Sequence, residues 1–536
     1  MKTHSENRTI SIDSHQLILL SLKFSVIKME FLLFSVSLAL SILLPLLFLA
    51  LAIFKNSQPT SSKFPRSYPI FGSFLTLLKN KERYVQWTSD LALATPNLTY
   101  TMQSAFERKL VVTANAANVK HILKSNFQNY NKGPFFRETL RDLLGDGIIN
   151  ADGETWMFQR QVSSHEFNTN SLRKFVENVV NSELSDRLIP ILKKTASERT
   201  VLDFQDILQR FAFDNICKIA FGYDPKYLLP SLPEAELALA FENAVRHSRE
   251  RFNSFAPLHW KIKRALNIGS EKQLKIAVKQ VRDFAKELIR GKKHELQTEK
   301  PLESVDLLSR VMSSGHSDED FVVDIVINFI LAGRDTTSAA LTWFFWLLSS
   351  HPEVENQILK EIEENADEPS YDEVKDMIYT HAALCESMRL YPPVPSDTKS
   401  AVSDDVLPDG TVVKKGMRVA YHPYAMGRVE KVWGADQAEF RPMRWLERKG
   451  DNGKWSFVGR DSYTYPVFQA GPRICLGKDM AFLQMKTVVA GVLRQFKVVP
   501  VVEEGKQPVY ISELLAKMKG GFPVRIEERA ELGSKY

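Results

Sequence analysis

The sequence predicts one large, mainly α-helical domain with a minor β component, preceded by a single membrane-spanning helix. Three observations lead to this fold class. No linker, repeat or low-complexity run divides the chain from about residue 74 onward. Long amphipathic runs alternate there with short strand-like stretches, and an uncharged apolar run stands near the N-terminus. The helical runs include Ser171–Lys194, Glu271–Gln297 and Phe321–Ser350, and the strand-like stretches are Leu110–Ala114 and Thr411–His422.

The N-terminal apolar run is interpreted as a membrane anchor over residues 29–54. No charged residue occurs from Phe31 to Phe54, and as a helix this segment would span roughly 36 Å, enough to cross a bilayer. Pro45 is tolerated in a membrane helix. The alternative is a cleaved signal peptide, but the run is long and lacks a clear small-residue cleavage site. Residues 1–28 are then an N-terminal extension.

The residues after the anchor predict its orientation. Lys55, Lys63 and Arg66 follow the run, and basic flanks favour the cytosolic side of a membrane. Residues 55–73 contain three prolines and are expected to form a stiff linker. The large domain of residues 74–536 is therefore expected in the cytosol.

The composition is that of a globular protein with a sizeable core, at 44% hydrophobic and 25% charged residues. Three cysteines cannot form a disulfide framework, which agrees with a reducing compartment. The net charge of +6 permits docking to an acidic partner or a membrane face, but does not indicate nucleic acid. The sequence contains no zinc-finger spacing, P-loop or Rossmann glycine fingerprint.

The stretch Phe468–Gly477 places Cys475 in a turn between Gly471 and Gly477, with Arg473 two residues before the cysteine. One thiolate without a CxxC partner suits an axial metal ligand better than a zinc cage. The glycines permit turn angles that other residues resist, and would let the backbone approach a flat macrocycle. Arg473 is placed to meet an anionic group on the same ligand. The alternative is a buried structural cysteine beside a turn.

A second candidate site lies inside the helical run Phe321–Ser350, at residues 332–337 with the sequence Ala-Gly-Arg-Asp-Thr-Thr. This is a poor sequence for a regular helix, and such a departure is expected where function outweighs stability. The Thr336 hydroxyl and the Asp335 carboxylate can deliver protons to a bound reactant. The alternative is a bent core helix in which Arg334 and Asp335 are solvated.

Two spaced pairs complete the set of motifs. Trp156 and Arg160 are four apart and share one helical face, and Glu386 and Arg389 are three apart. Taken alone, the pair Trp156 and Arg160 indicates only a surface arginine stacked on a core tryptophan. The second pair alone would stabilise a helix by only a few tenths of a kcal/mol.

These four motifs resemble those of the cytochromes P450, which carry W-x-x-x-R, A/G-G-x-D/E-T-T, E-x-x-R and F-x-x-G-x-R-x-C-x-G in this order. The resemblance implies the P450 fold around a haem b, with Cys475 as the thiolate ligand of the iron. It also implies haem-propionate contacts for the first motif and a loop shaped for the macrocycle in the last. The implied haem-binding residues are Cys475, Arg473, Trp156, Arg160, Phe468, Gly471 and Gly477.

The resemblance also implies roles for the other motifs. Thr336 and Asp335 would deliver protons to the distal oxygen during O–O cleavage. Glu386, Arg389 and the later Arg444 would form a buried cluster that holds the core together on the thiolate side. Two positions depart from the family's pattern. Met443 stands where a glutamate is frequent, and Lys399 lies in a region where many relatives place an arginine for a propionate, so Lys399 is left open as a haem contact.

Longer strings resemble the plant fatty-acid ω-hydroxylase branch, the ninety-four and eighty-six groups, and are nearest the former. The resemblance implies hydroxylation of the terminal carbon of a fatty acid, sometimes continuing to the carboxylic acid. Electrons would come from NADPH through a reductase, with O2 as oxidant, in an enzyme anchored once in the endoplasmic reticulum membrane. The strings are Arg210–Cys217, His165–Thr169, Ala382–Arg389 and Tyr424–Arg428.

The substrate is expected to lie among residues that match the family's substrate regions, namely Phe135, Phe136, Phe329, Ala332 and Val394. Relatives in this branch also oxidise jasmonoyl–isoleucine or a sterol side chain, so both remain alternatives. An enzyme that rearranges hydroperoxides, or a non-catalytic haem or lipid carrier, is a further alternative. The intact Asp-Thr pair and cysteine loop argue against these last two.

Overall fold

The computed structural model describes residues 40–41, 43–47, 72–103, 109–167, 170–234, 236–254, 257–298, 306–313, 318–364, 374, 376–449, 454–502 and 506–529. The chain divides into two compact units, residues 1–62 and 63–536. In the first unit the described residues are all helical. No helix within the described ranges is both long and apolar enough to cross a membrane. The expected extension, most of the expected anchor and most of the expected linker lie outside these ranges.

Helices make up most of the second unit. Those in its described part are α1 (Phe74–Lys79), α2 (Tyr84–Leu93), α3 (Ala116–Lys120), α4 (Gly133–Leu144), α5 (Gly153–Phe167), α6 (Asn170–Glu183), α7 (Ile189–Glu198), α8 (Phe204–Phe221), α9 (Glu236–Phe252), α10 (Pro257–Ala265), α11 (Gly269–Thr298), α12 (Leu307–Ser313), α13 (Glu319–Ser349), α14 (Pro352–Glu364), α15 (Ile378–Leu390), α16 (Pro423–Met426), α17 (Glu430–Trp433) and α18 (Lys478–Gln495).

The strands form small sheets. The largest is mixed, with the order β1-β2-β8-β5-β3, in which β2 and β8 are parallel and the other pairs are antiparallel. Antiparallel pairing also joins β11-β14-β4, β9-β10, β12-β13 and β6-β7. The strands are β1 (Thr99–Gln103), β2 (Lys109–Thr113), β3 (Tyr130–Asn131), β4 (Leu202–Asp203), β5 (Asp397–Ala401), β6 (Asp405–Val406), β7 (Val412–Val413), β8 (Arg418–Tyr421), β9 (Leu446–Lys449), β10 (Lys454–Phe457), β11 (Phe496–Pro500), β12 (Tyr510–Ser512), β13 (Ala516–Met518) and β14 (Pro523–Glu528).

The prediction of a mainly helical body with a minor β component is confirmed. The run Ser171–Lys194 is helical but not uniform, because a π turn at Leu184–Leu188 joins α6 to α7. Pro190 lies in the first turn of α7 and has no N–H to donate to the preceding turn, which accounts for the irregularity. The strand-like stretch Thr411–His422 contains two strands, β7 and β8, rather than one continuous strand. A turn with Gly416 at φ 79° separates β7 from β8.

Helix α13 forms the centre of the helical core. Asp318 caps its N-terminus by accepting from the Asp320 N–H at 3.1 Å. The helix packs closely on α8, where a Cβ at Gly333 would lie 2.6 Å from the Ile216 side chain. A side chain at residue 333 would therefore force the two helices apart. The helix that carries the second candidate site is thus fixed on several sides by buried side chains.

Candidate functional site

The cysteine loop is held in place by its own backbone. The Cys475 N–H donates to the Phe468 carbonyl at 2.8 Å, and the Ile474 N–H donates to the Gly471 carbonyl at 3.1 Å. Gly471 has a φ of 65°, and a Cβ there would overlap the Leu123 carbonyl oxygen, so glycine is required. The loop therefore lies directly against the turn that follows α3 and presents the cysteine just before α18.

The surroundings of Cys475 act on its thiol in both directions. Burial raises the pKa of the thiol, whereas the Gly477 N–H, Arg160 and Lys478 lower it. Gly477 immediately precedes α18, so its N–H belongs to the positive end of that helix. Of the chain's three cysteines, Cys475 alone has an exposed residue surface, although neighbouring protein atoms crowd its thiol and raise its pKa. The loop therefore offers one sulfur as a metal ligand, and the positively charged Arg160 and Lys478 lie near it.

Helix α5 and the cysteine loop bring together three of the expected haem-binding residues. The Arg473 guanidinium lies 4.5 Å from the centre of the Trp156 ring and donates to Asp152 at 2.9 Å. Arg160, one turn after Trp156, donates to the Ile474 carbonyl at 2.5 Å. Burial lowers the pKa of Arg160, and the nearby Cys475 raises it in opposition. The W-x-x-x-R motif and the cysteine loop therefore meet as one surface.

A buried ionic cluster lies next to this surface. Asp397 accepts from Lys132 at 2.9 Å, Lys399 at 2.9 Å, Tyr421 at 3.0 Å and Gln469 at 2.7 Å. Burial opposes ionisation of Asp397, but the two lysines hold its pKa well below the ordinary value. Burial also lowers the pKa of Lys399 to about 7, against the attraction of Asp397.

Sequence reasoning missed most of that cluster. Lys132 and Asp397 were not identified, and Lys399 had been left open as a haem contact. In the described structure Lys399 is fully buried and pairs with Asp397. The one signal in the sequence was the spacing of Asp397 and Lys399, since residues two apart on a strand share a face.

Helix α13 presents a narrow accessible stripe. From Val322 to Leu348 every residue is buried except Phe329, Ala332, Gly333 and Thr336. Their spacing of i, i+3, i+4 and i+7 places them on one face of the helix. We infer that this stripe borders an internal space, because the helix is buried on its other faces.

Asp335 lies on α13 beside the stripe, three residues after Ala332, in a charged network. It is buried beside Arg334, with 3.4 Å between the Arg334 Nε and the Asp335 Oδ1. Arg334 also donates to Glu242 at 2.9 Å, and Lys517 donates to the same carboxylate at 3.2 Å. The alternative of a solvated Arg334 and Asp335 was therefore wrong, because both are buried. Burial raises the pKa of Glu242, but Lys517 and Arg334 outweigh burial and hold it below the ordinary value.

The E-x-x-R motif, Glu386 and Arg389, forms a buried ionic cluster with residues that come just before β9. Glu386 accepts from Arg389 through both oxygens at 2.8 Å, from Arg444 at 3.0 Å and from the Trp445 indole at 3.0 Å. Arg389 also donates to three backbone carbonyls. Asp436, which sequence reasoning did not identify, pairs with Arg444 at 2.7 Å. Glu386, Arg389 and Arg444 thus meet in one place, as the E-x-x-R motif predicts.

The comparison with known families agrees with this geometry. The profile of the cytochrome P450 family matches residues 63–524. This chain belongs to the cytochrome P450 family. It is 63% identical to Cytochrome P450 94A2 of Vicia sativa over 480 residues, 89% of this chain and 93% of that relative. It is 47% identical to Cytochrome P450 94B1 of Arabidopsis thaliana over 485 residues, 90% of this chain and 94% of that protein.

The chain is also similar to a member of the related group that the sequence suggested. The chain is 42% identical to Cytochrome P450 86B1 of Arabidopsis thaliana over 468 residues, 83% of this chain and 82% of that relative. The resemblance to the ninety-four group, with the eighty-six group as its neighbour, is therefore confirmed. P450 enzymes are monooxygenases that use a thiolate-bound haem and electrons from a redox partner.

The residues at the site fit such a haem. Cys475 offers a single sulfur, and Arg473 has a buried Nε without an acceptor in the described part of the chain. A haem carboxylate would supply that acceptor. The excess positive charge of Arg473, Lys132 and Lys399 over Asp397 and Asp152 favours an anion at the same edge. When bound, the haem supplies the iron at which O2 is reduced and one oxygen atom is transferred.

The expected substrate residues lie in three parts of the chain. Phe135 and Phe136 are half-buried on α4 and lie against Phe252, with ring centres 5.6 and 5.8 Å apart. Phe329 and Ala332 belong to the α13 stripe. Val394 is half-buried in the segment between α15 and β5. Sequence reasoning missed Phe252, which stands at the end of α9 without a motif around it.

Proposed function

We propose that this P450 inserts one oxygen atom from O2 into the terminal carbon of a fatty acid, and that oxidation can continue to the dicarboxylic acid. The cofactor is haem b, and electrons come from NADPH through an NADPH–cytochrome P450 reductase. The names of these relatives specify no substrate, so the proposal draws on the motif resemblance and on the residues of the α13 stripe. The observation that carries it is the accessible stripe on α13.

The stripe offers room for a thin chain end and little else. One aromatic ring, Phe329, is followed along the same face by Ala332 and Thr336, which are both small, while Ile216 packs on Gly333. A terminal C–H bond is stronger than those of neighbouring methylenes, so terminal oxidation requires positioning rather than intrinsic reactivity. Phe329 limits sideways movement of the chain, and Ala332 leaves space for the terminal methyl. The apolar body of the substrate gains about 0.8 kcal/mol per buried methylene.

Other side chains bind the haem, transfer protons and exclude water. Cys475 holds the haem through its sulfur, and Arg473, Trp156 and Arg160 orient the propionate edge. The Thr336 hydroxyl, which faces the internal space, donates and accepts protons at its Oγ1. Asp335 places a carboxylate next to Thr336 in the chain. Arg334 pairs with this carboxylate and with the half-exposed Glu242, which also pairs with Lys517. Buried side chains around the stripe exclude water.

The location is part of the proposal. Residues 29–54 anchor the protein once in the endoplasmic reticulum membrane, and the domain of residues 74–536 lies on the cytosolic side. Alkaline carbonate extraction of microsomes should leave the full chain in the membrane fraction. Protease added outside intact microsomes should degrade the domain. A protected domain would contradict this orientation.

The deciding experiment uses microsomes that contain this chain and a plant reductase. Saturated and unsaturated fatty acids of increasing length are supplied with NADPH, and mass spectrometry locates the hydroxyl group. We expect a thiolate carbon-monoxide difference band, NADPH use that depends on substrate, and mainly terminal hydroxylation. Mainly interior hydroxylation or epoxidation would contradict the proposal. So would absent fatty-acid turnover beside brisk oxidation of a jasmonoyl–amino acid conjugate or a sterol.

A cysteine pair provides the control for the haem ligand. Cys475→Ser should abolish the thiolate band and turnover, because oxygen replaces the sulfur that binds iron. Cys217→Ala changes a buried cysteine of α8 and should retain both. A normal thiolate band in Cys475→Ser would remove the ligand assignment.

A further inference from the structure

The segment that connects α4 to α5 is bound to α13 by side chains of that helix. The Asp146 N–H donates to the Asp324 carboxylate at 2.9 Å. The Ile149 N–H donates to the side-chain oxygen of Asn328 at 3.1 Å. Asn328 in turn donates to the carbonyl of Leu144, the last residue of α4, at 2.9 Å. The end of α4 and the connecting segment are therefore tied to α13.

The contact between α13 and the connecting segment leaves no room for larger residues. A Cβ at Gly147 would lie 2.0 Å from the Asn328 amide nitrogen, and a Cβ at Gly145 would lie 2.0 Å from an Asp324 carboxylate oxygen. Asn328 is only 1% exposed, and it also donates to the Asp324 carbonyl at 2.7 Å. Both N–H groups and the oxygen of its side chain therefore have partners. Asn328 and Asp324 are four residues apart and share one face of α13.

These hydrogen bonds fix the position of α4 relative to the accessible stripe of α13. Phe135 and Phe136 lie on α4, and Phe329 of the stripe directly follows Asn328 in the chain. Successive residues of a helix are turned by roughly 100°, so Asn328 faces the connecting segment while Phe329 lies on the stripe. Helices in a packed core move as units, so a displacement at the end of α4 also moves its two phenylalanines.

We propose that Asn328 is a positioning residue for terminal oxidation, because it holds α4 and the connecting segment at a fixed distance from Phe329. This inference rests on the proposed function, since it assigns a residue that sets where a fatty acid is oxidised. Asn328 acts through the phenylalanines of α4 and α13 and touches no substrate. The Gly133 N–H donates to Asp152 at 3.1 Å and holds the other end of α4. Loss of the Asn328 contacts would therefore tilt the helix rather than release it.

The test compares Asn328→Ala with the wild type as full-length holoenzyme. Hydrogen exchange of residues 145–150, read by mass spectrometry, should become at least about tenfold faster, because the Ile149 N–H loses its acceptor. With a saturated long-chain fatty acid, the ratio of interior to terminal hydroxylation should rise at least about threefold. The Kd of that acid should change less than about threefold, because no contact with the substrate is removed.

Asn215→Ala is the matched control for a general loss of stability. Asn215 is a fully buried asparagine of α8, and it donates to the Phe211 carbonyl of its own helix at 2.9 Å. Its replacement removes the same atoms and one buried hydrogen bond from the same core. Neither the exchange of residues 145–150 nor the product ratio should change. This control therefore separates positioning by Asn328 from destabilisation of the core.

Gly147→Ala provides a second test if Asn328→Ala does not fold with haem. This variant removes no side chain from α13, and its added Cβ pushes the connecting segment away from Asn328. The product ratio should shift in the same direction as in Asn328→Ala. Gly291→Ala adds the same methyl group on α11, where nothing lies within 4 Å of the added Cβ, and should leave the ratio unchanged.

Three results would overturn the positioning role of Asn328 alone. These are an unchanged product ratio in both Asn328→Ala and Gly147→Ala, unchanged hydrogen exchange in Asn328→Ala, or an equal shift of the ratio in Asn215→Ala. In each case the wild type still oxidises the terminal carbon. A wild-type enzyme that oxidises mainly interior carbons, or no fatty acid at all, would instead contradict the proposed function and the positioning role with it.

Discussion

The Thr336 hydroxyl donates to the Ala332 carbonyl at 2.7 Å, one turn earlier in α13. Both residues belong to the four-residue accessible stripe of that helix. The bond turns the hydroxyl along the helix while leaving its oxygen lone pairs available. A small rotation about χ1 would break this bond and let the same hydroxyl donate to a molecule in the internal space. The hydrogen bond to the Ala332 carbonyl therefore orients the Thr336 hydroxyl without preventing it from donating to another acceptor.

Thr336→Ala should uncouple the enzyme. Without the hydroxyl, proton delivery fails, so NADPH is consumed while hydrogen peroxide replaces much of the product. The measurement is product and peroxide formed per NADPH, and Thr336→Ser should retain most of the coupling. Thr342→Ala is the matched control, because Thr342 makes the same bond to the Ser338 carbonyl at 2.7 Å but is fully buried. Unchanged product per NADPH in Thr336→Ala would assign Thr336 a structural role.

Glu386→Gln should destabilise the fold and reduce haem loading. The carboxylate is fully buried and satisfies two arginines and a tryptophan, so neutralising it leaves buried positive charge without compensation. Breaking such a pair costs about 3–5 kcal/mol. The measurement is the midpoint of urea unfolding together with the haem content of purified protein.

An exposed ion pair gives the control for that loss. Asp404 and Lys414 are each 60% exposed, so Asp404→Asn should leave the urea midpoint nearly unchanged. A Glu386→Gln protein that unfolds at the same urea concentration as Asp404→Asn would show that the buried cluster does not stabilise the fold.

The residues of the four motifs could be predicted because each motif is short and its members lie on one helix or one loop. The fixed spacing of Trp156 and Arg160, or of Glu386 and Arg389, already places the side chains on one face. The accessible face of α13 could be predicted only in part. Phe329, Ala332 and Thr336 were identified, but Gly333 was noted as a weak helix former rather than as a point of close packing on Ile216.

Contacts between distant segments could not be predicted in this way. Lys132 and Asp397 are 265 positions apart, and their pairing depends on how α4 packs against β5. The network of Arg334, Glu242 and Lys517 likewise depends on α13, α9 and β13 meeting. No local periodicity encodes such meetings, because they follow from the packing of the whole core. Sequence patterns therefore predicted the residues near the thiolate, and the structure was needed for the charged groups that distant segments bring together.

His422 should make the protein less stable in mild acid. Its ring is buried, accepts from the Ala425 N–H at 3.2 Å and lies 2.9 Å from the Thr88 hydroxyl. Burial lowers the pKa of His422 to about 3, whereas the unfolded chain has a pKa of about 6.5. Between these values the unfolded state binds more protons, so stability falls as the pH drops through this window.

His422→Asn tests this dependence, since an asparagine oxygen can still accept from the Ala425 N–H. The wild type should lose roughly 2 kcal/mol more than the variant between pH 6.5 and pH 5. The measurement is the urea midpoint of each protein across that range. His381, whose pKa burial also lowers to about 3, is present in both proteins and cancels in the difference. Parallel pH profiles would mean that His422 is protonated in the native state.

Phe329→Ala should shift oxidation from the terminal carbon toward the neighbouring methylenes. The ring is the bulkiest group on the accessible stripe of α13, and its removal lets the chain end move sideways near the reacting oxygen. Interior C–H bonds are weaker, so a looser site follows intrinsic reactivity instead of position. Product ratios are measured by mass spectrometry.

Because the truncation also removes core packing and costs stability, Phe329→Leu serves as a milder second variant with a smaller shift in the same direction. Phe158→Ala removes the same atoms from an exposed ring of α5 and should leave the ratio unchanged. Thr336→Ala changes coupling through proton delivery, whereas Phe329→Ala changes regiochemistry through positioning, so the two readouts separate the two roles. An unchanged product ratio in both Phe329 variants would mean that Phe329 only packs the core.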